Sequence, residues 1–260
     1  MANSYYFMNL GSGLVMDVLG ASTTNGTPLD GWSQNSPASP NQLWTFEAGP
    51  SGNPGYYYIK SNLGHSLVVD VKGGGTASGT PLDAWPQNSP ASANQLWKYE
   101  PVGPVPPQGF IQSLLGDNLV IDLKGEKTAK GTTLDVWPQG SGKATQLWFL
   151  IPEPGNSYSP KVTSIVASGF GFIIKGTGFQ AGTQLIATYQ FSDPSTGGFS
   201  QGSFATWADF GGNFSDESPI DELTYGSPGT LTVQIFISTP ALPGGGIVTA
   251  NWDGSKFTIA

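Results

Sequence analysis

The sequence contains no cysteine, no arginine and a single histidine, and each scarcity excludes a class of protein. Without cysteine there is no disulfide framework and no thiolate chemistry. The cations are ten lysines against 18 acidic residues, a formal net charge of −8, so the cationic contacts that nucleic acid or an anionic membrane requires are missing. His65 has no second histidine or cysteine with which to hold a metal. We therefore expect no nucleic-acid partner, no metal and no cofactor, and we expect an exposed loop position for His65.

Long apolar segments are also missing. No run approaches the roughly 18 residues of a membrane helix, and Met1–Tyr6 has neither the basic nor the apolar region of a signal peptide. These features predict a soluble chain without membrane insertion, either cytoplasmic or released by a non-classical route. Amphipathic helical patterns are equally scarce, whereas 37 glycines, 21 prolines and 12% aromatic residues are typical of short strands joined by tight turns. The sequence thus predicts an all-β protein.

The strongest pattern is a Gln-Leu-Trp tripeptide that occurs three times. It ends at Trp44, Trp97 and Trp148, so the tryptophans are 53 and 51 residues apart. A repeat of this length marks a small unit that buries its apolar face only by packing against its copies. We place the three repeats at about 1–50, 51–104 and 105–152, and they predict one closed domain over residues 1–152. The proline-rich segment 101–107 is then a loop inside this domain.

Each repeat carries one aspartate in an apolar strand and a second aspartate in a later strand, two residues before a tryptophan. Side chains alternate along a strand, so the first aspartate lies opposite the core face, and the second aspartate shares a face with the tryptophan. The Gln-Leu-Trp segment is predicted to form a fourth strand. We expect its glutamine to satisfy buried backbone groups and its tryptophan to lie in the core.

These features together resemble the ricin B-chain family of lectins, whose fold is the β-trefoil. The resemblance covers residues 1 to 152 and implies one shallow sugar site per repeat, commonly for galactose or N-acetylgalactosamine. In such sites the strand aspartate accepts hydrogen bonds from sugar hydroxyls, an aromatic ring stacks on the sugar, and an asparagine before the glutamine adds a contact. The implied carbohydrate-binding residues are Asp17, Asp30, Trp32, Asn41, Asp70, Asp83, Trp85, Asn94, Asp122, Asp135 and Trp137.

Some positions depart from this pattern or have a simpler explanation. Asp30 and Asp83 stand where the family often has an amide. In the third repeat Thr145 replaces the asparagine and a shorter loop brings in Lys143, so we expect a weaker or altered third site. The first aspartate of a repeat could merely satisfy turn amides. A neighbouring loop could equally cover the outward-facing tryptophans.

Residues 158–260 show a different sequence pattern. About seven short strands separated by glycine-rich turns, without a helix signal, predict an immunoglobulin-like β-sandwich. A short segment that follows an apolar strand, Lys175–Phe179, is faintly similar to bacterial immunoglobulin-like repeats. We expect this domain to space or dimerise the trefoils. The acidic pairs at 216–217 and 221–222 favour a solvated loop over a calcium site, because their spacing matches no calcium-binding loop.

Three functions remain open from the sequence. The first is a multivalent, non-catalytic lectin for galactose-type glycans. The second is a trefoil for protein contact, such as a protease inhibitor, and the third is a glycan-targeting module of an enzyme. A lone loop histidine provides no triad, and the paired aspartates recur three times, whereas a glycosidase needs one acid and base pair in one cleft. The repetition therefore favours binding over catalysis.

Overall fold

The computed structural model describes residues 3–102, 108–116, 118–168, 171–193, 198–219, 229–237, 247–253 and 255–260. The chain divides into two compact units, Met1–Ser157 and Tyr158–Ala260. In the described ranges the regular structure is β-strand apart from six short 3-10 turns, so the all-β prediction is confirmed. None of these turns has the length and apolar character needed to cross a bilayer. The segment 101–107 was predicted as a loop, but Pro101 and Val102 end a strand because they pair with Gly109 and Gln108, and residues 103–107 lie outside the described residues.

In its described part the first compact unit has four strands per repeat. Their bounds are β1 (Tyr5–Asn9), β2 (Val15–Val18), β3 (Thr27–Trp32), β4 (Trp44–Ala48), β5 (Tyr57–Ser61), β6 (Leu67–Val71), β7 (Thr80–Pro86), β8 (Trp97–Val102), β9 (Gln108–Ser113), β10 (Leu119–Leu123), β11 (Thr132–Pro138) and β12 (Trp148–Pro152).

Six of these strands close a barrel and the other six form three hairpins. The barrel runs β1-β4-β5-β8-β9-β12 and back to β1, with every pair antiparallel. The hairpins are β2–β3, β6–β7 and β10–β11, and strands β3, β7 and β11 pair with one another in a triangle. Closure leaves the barrel strands without an unpaired edge. This threefold arrangement is the β-trefoil-like fold.

The tryptophans of the three tripeptides lie in the core, as predicted. Trp44, Trp97 and Trp148 have no exposed surface. The indole Nε1 of each donates a hydrogen bond to a carbonyl of the second strand in its own repeat, over 2.9 to 3.2 Å. A buried indole needs such a partner, so these bonds join the barrel to the hairpin that carries the first aspartate.

The prediction that the whole Gln-Leu-Trp segment is a strand was wrong. The glutamines end 3-10 turns, and strands β4, β8 and β12 begin only at the tryptophans; the turns are Pro40–Gln42, Ala93–Gln95 and Ala144–Gln146. The physical reason is that each glutamine side chain bonds to backbone groups of the preceding loop, which holds the chain in a turn.

The second compact unit has two sheets in its described part. The strands are β13 (Lys161–Ser168), β14 (Gly171–Thr177), β15 (Gln184–Asp193), β16 (Gly198–Trp207), β17 (Phe214–Pro219), β18 (Gly229–Ile237), β19 (Ile247–Trp252) and β20 (Phe257–Ile259). The sheet orders are β13-β14-β17 and β16-β15-β18-β19-β20. Phe172 and Ile174 of the first sheet share a buried cluster with Leu185, Val233 and Trp252 of the second. The immunoglobulin-like assignment stays a prediction.

Two loop predictions have different outcomes. Asp216 and Glu217 were expected in a solvated loop, but they lie in β17, opposite Ile174 and Ile173 of β14. Strand β17 is the edge of its sheet, and charged residues are common on sheet edges, which explains why its acidic sequence concealed a strand. The acidic pair at 221–222 lies outside the described residues. His65 is exposed in the turn before β6, as predicted.

Candidate functional site

Strands β2 and β3 bring the implied residues of the first repeat into one pocket. Asp17 and Asp30 face each other across the two strands. Because alternate residues share a face, Asp30 and Trp32 line the same surface, and Asn41 joins them from the turn before β4. The pocket has a volume of about 540 Å³. These four residues are called site one.

The two aspartates of site one differ in their hydrogen bonding. Oδ2 of Asp17 accepts bonds from Asn41 Nδ2 at 2.8 Å and from Gln42 Nε2 at 2.7 Å. Asp30 is only 1% exposed, and among the described residues neither of its carboxylate oxygens has a hydrogen-bond partner. Burial, followed by the charge of Asp17, raises the pKa of Asp30 to about 6. Site one therefore contains a buried acceptor that lacks a donor.

Gln42 fixes the loop that borders site one. Its Oε1 accepts a hydrogen bond from the backbone N–H of Asn35 at 2.7 Å, and its Nε2 donates to the carbonyl of Ser33 at 2.9 Å as well as to Asp17. The predicted role of the glutamine in satisfying buried backbone groups is thus confirmed. Burial raises the pKa of Asp17, and the amide donors Gln42 and Asn41 act in the opposite direction. The donors to Asp17 are side-chain amides, whereas the simpler explanation required turn amides.

Site two, made by Asp70, Asp83, Trp85 and Asn94, repeats this geometry. Asp70 and Asp83 face each other across β6 and β7. Oδ2 of Asp70 accepts bonds from Asn94 Nδ2 and Gln95 Nε2, both at 2.8 Å, and the pocket has a volume of about 680 Å³. Burial raises the pKa of Asp70 to about 6; the bond from Gln95 lowers it and the charge of Asp83 adds to the rise.

A lysine distinguishes site two from site one. Lys72 lines the pocket of site two, and its charge opposes the rise that burial causes in the pKa of Asp83. The corresponding position in the first repeat is Leu19, which lines the pocket of site one. The two sites therefore share their aspartates, tryptophan and asparagine but differ in charge.

Site three consists of Asp122, Asp135, Trp137 and Thr145 and is less complete. Oδ2 of Asp122 accepts a bond from Gln146 Nε2 at 3.0 Å, but with Thr145 in the asparagine position the second amide donor is missing. Burial, with the charge of Asp122, raises the pKa of Asp135 to about 6. The shorter loop places Lys143 in an ion pair with Glu126 over 2.6 Å.

The tryptophans of the three sites are the exposed counterparts of the core tryptophans. Trp32 and Trp85 are each 42% exposed and Trp137 is 38% exposed. The alternative that a loop covers them is therefore excluded for the described residues. An exposed indole beside a buried carboxylate can receive the apolar face of a ligand while the carboxylate accepts its donors.

Among the polar residues of the sites that were missed from the sequence, four form two equivalent pairs. Asn35 and Ser39 line site one, where Asn35 Nδ2 donates to Ser39 Oγ at 2.7 Å. Asn88 and Ser92 do the same in site two, also at 2.7 Å. The sequence signal that could have identified them is the hexapeptide Gln-Asn-Ser-Pro-Ala-Ser, which is identical in the first two repeats and absent from the third. Within the described ranges, no three histidine or acidic side chains are grouped as metal ligands.

Comparisons with known proteins find relatives that share part of this chain. Tectonin-2 of Physarum polycephalum is 32% identical over 80 residues, which are 29% of this chain and 21% of Tectonin-2. The designed threefold-symmetric protein ThreeFoil covers 57% of this chain and 97% of its own, with 21% identity and a TM-score of 0.50. The earthworm R-type lectin C-half, solved in complex with GalNAc, covers 58% of this chain and 99% of its own, with 21% identity and a TM-score of 0.44.

These similarities differ in what they establish. The likeness to ThreeFoil, at 21% identity, shows the fold alone. The matched segment spans only about a fifth of Tectonin-2. The family comparison reaches further, because residues 1–85 and 40–137 both match and together span just over half of the 260 residues. The chain belongs to the ricin-type beta-trefoil lectin domain-like family.

Proposed function

We propose that the first compact unit is a multivalent, non-catalytic lectin whose three sites bind galactose or N-acetylgalactosamine glycans. The observation that carries the proposal is in site one, where the buried Asp30 carboxylate lacks a donor among the described residues and Trp32 beside it is exposed. A buried unpaired acceptor is unfavourable unless a ligand supplies the donor. A sugar fits, because it offers adjacent hydroxyl donors and a patch of C–H groups for an indole.

The proposed contacts assign a separate role to each residue. Asp17, held by two amides, and Asp30, whose oxygens are unpaired among the described residues, accept hydrogen bonds from neighbouring hydroxyls of one sugar ring. Trp32 stacks on the apolar face of that ring, and Asn41 contacts a further hydroxyl while it positions Asp17. Asp70, Asp83, Trp85 and Asn94 have the same roles in site two.

Single sites of this kind bind weakly. A hydrogen bond to a carboxylate contributes roughly 1.5–3 kcal/mol, and a few such bonds with one stacked ring give about millimolar affinity. Several sites on one chain can raise the avidity for a dense glycan surface by roughly 100-fold. We expect site three to be the weakest, because Asp122 receives one amide hydrogen bond where Asp17 and Asp70 each receive two.

The non-catalytic part of the proposal follows from repetition. Each pair of aspartates faces its partner across one hairpin, and the same arrangement occurs three times. A glycosidase concentrates its acid and base in one cleft. Release of free sugar from a bound glycan by the wild-type protein would contradict this part and favour a catalytic role.

The first experiment is a glycan array with free galactose and lactose as competitors. We expect competed binding to glycans with terminal galactose or N-acetylgalactosamine. Trp32→Ala and Trp85→Ala should each weaken binding to the array, by about two- to tenfold per site. The control is Leu10→Ala, which removes an exposed apolar side chain that lines neither site one nor site two.

Two results would overturn the proposal. An array without competed binding would favour the protein-contact alternative, which inhibition assays with a panel of proteases would then examine. Equal losses in the tryptophan variants and in Leu10→Ala would show that the three sites do not hold the sugar. Homodimerisation through residues 158–260 stays a separate prediction, which light scattering of the full chain tests.

A further inference from the structure

Each site lies against a glycine turn that belongs to a different repeat. A Cβ added at Gly26 of the first repeat would lie 3.3 Å from Trp85 of site two, and one at Gly131 of the third repeat would lie 3.7 Å from Trp32 of site one. Gly79 of the second repeat has the same relation to Trp137 of site three, at 3.5 Å. Each of the three sites is therefore completed by a glycine turn from another repeat of the same chain.

Backbone pairing fixes this relation. The N–H groups of Gly26, Gly79 and Gly131 donate to carbonyls of the strand that carries the neighbouring site, over 2.8 to 2.9 Å. Their φ angles are +80°, +83° and +80°, a left-handed conformation that glycine adopts without strain. The turn is thus held against the next repeat by the same strands that form the triangle of hairpins.

The residue before each turn glycine is exposed and chemically different in each repeat. These residues are Asn25, Ser78 and Lys130. Asn25 lines site two directly, together with Asp83 and Trp85. Lys130 holds the equivalent position beside site one, because it precedes Gly131, where an added Cβ would lie 3.7 Å from Trp32.

We propose, on the basis of the proposed lectin function, that the residue before each turn glycine selects the group attached to the sugar held by the neighbouring repeat. Lys130 then makes site one select glycans that carry an anionic group, either a sulfate ester or a carboxylate. The described residues that line the pocket of site one include two aspartates and no lysine, so a cation for a bound glycan would have to come from the neighbouring turn that carries Lys130. Lys130 belongs to none of the three ion pairs within the described residues.

The test uses chains with one remaining site. Trp85→Ala with Trp137→Ala leaves site one, and both tryptophans are exposed, so their loss spares the core. On this background Lys130→Ala is compared with Lys127→Ala, which removes the same charge from an exposed position of the same loop. The probes are lactose, lactose sulfated on its galactose, and sialyllactose, and NMR titration measures each affinity.

We expect Lys130→Ala to weaken binding of an anionic probe by about two- to fivefold, as befits an exposed ion pair, and to leave lactose binding unchanged. High salt should abolish the difference in affinity between Lys130→Ala and its parent. The anionic probe whose binding weakens shows whether site one selects a sulfate or a carboxylate. Asn25→Lys should strengthen binding of the anionic probe in a chain that keeps only site two. Equal effects of Lys130→Ala and Lys127→Ala on all three probes would overturn this inference and leave the lectin function intact. No binding of any probe by the wild-type chain would overturn both.

Discussion

Asp30→Asn should stabilise the protein at neutral pH and weaken sugar binding at site one. In the wild type the Asp30 carboxylate is buried, has no donor among the described residues and lies opposite Asp17; the burial and the charge of Asp17 raise its pKa. Asparagine carries no charge, and its amide can donate to Asp17 across the strand pair. The substitution therefore removes the desolvation of a charge and the repulsion between two carboxylates, while it removes an acceptor for sugar hydroxyls.

The size of the effect follows from the pKa of Asp30, which is raised from 3.8 to about 6. Each pKa unit corresponds to about 1.4 kcal/mol, so ionised Asp30 lowers the free energy of unfolding by at most about 3 kcal/mol. The asparagine amide must be desolvated in the same place, which offsets part of the gain, and we expect about 1 to 2 kcal/mol. For a unit of this size the melting temperature should then rise by roughly 3 to 6 °C.

The sign of the pH dependence is fixed by linkage. Because the pKa of Asp30 is higher in the folded than in the unfolded state, the folded protein binds more protons between about pH 4 and pH 6. The wild type therefore gains stability from this group as the pH falls through that window. The advantage of Asp30→Asn should be full above about pH 6 and should vanish below about pH 4.

Thermal unfolding of both proteins at about pH 7.5 and about pH 4 measures this difference. Glu47→Gln is the matched control, since hydrogen bonds from Lys60 and Gln87 lower the pKa of Glu47 and its charge is favourable in the fold. It should not stabilise at either pH. A melting temperature of Asp30→Asn that falls at about pH 7.5, or that rises equally at both pH values, would refute the reasoning.

Three further expectations concern binding, the barrel core and the second compact unit. Sugar affinity should fall as the pH drops through about 6. The pKa values of Asp30 and Asp70 are both about 6, and each carboxylate loses acceptor capacity when it is protonated. An affinity that calorimetric titration finds unchanged over several pH values would contradict this. Trp44→Ala should lower the free energy of unfolding by about 3–5 kcal/mol in urea titrations, since the indole is fully buried, and a loss below about 1 kcal/mol would contradict it. Gly178→Ala should destabilise the second compact unit by more than about 1 kcal/mol. The φ angle of Gly178 is +80°, and the new Cβ would meet the carbonyl of Ser159. An unchanged melting temperature of this variant would refute the prediction.

The repeats predicted one closed threefold domain because their signal is global, and the resemblance to the ricin B-chain lectins added the trefoil. A tryptophan recurring at steps of 53 and 51 residues is enough to indicate three copies of one unit, and each copy needs the others to bury its strands. The turn that holds Gln42 could not be predicted in the same way. Strand alternation treats a glutamine two residues before a core tryptophan as part of the strand, whereas its bonds to Asn35 and Ser33 come from a loop whose path the pattern does not contain.

The face of the candidate site residues on regular strands was predictable from the pattern, whereas Asn41 and Asn94, which lie on turns, were named only through the family resemblance. Asp17, Asp30 and Trp32 follow from alternation along β2 and β3, whose register places them on one face. Asn35 reaches the pocket through a loop with no periodic signal. Asn25 belongs to site two only because β3 pairs with β7, a contact between repeats that no pattern within one repeat reports.

The three carboxylate pairs set a requirement on the rest of the fold. In each pair one aspartate clearly opposes folding when ionised, because burial and the charge of the facing aspartate raise the pKa of Asp30, Asp70 and Asp135 to about 6. The chain has no cysteine to form a disulfide that would offset them. The stabilisation must therefore come from packing, and the structure supplies it in the barrel, where three fully buried tryptophans each bond to the strand that carries the first aspartate. The tripeptide repeat and the aspartates of the proposed sugar sites are thus physically linked: weakening a core tryptophan should loosen the strand that holds the first aspartate of its repeat.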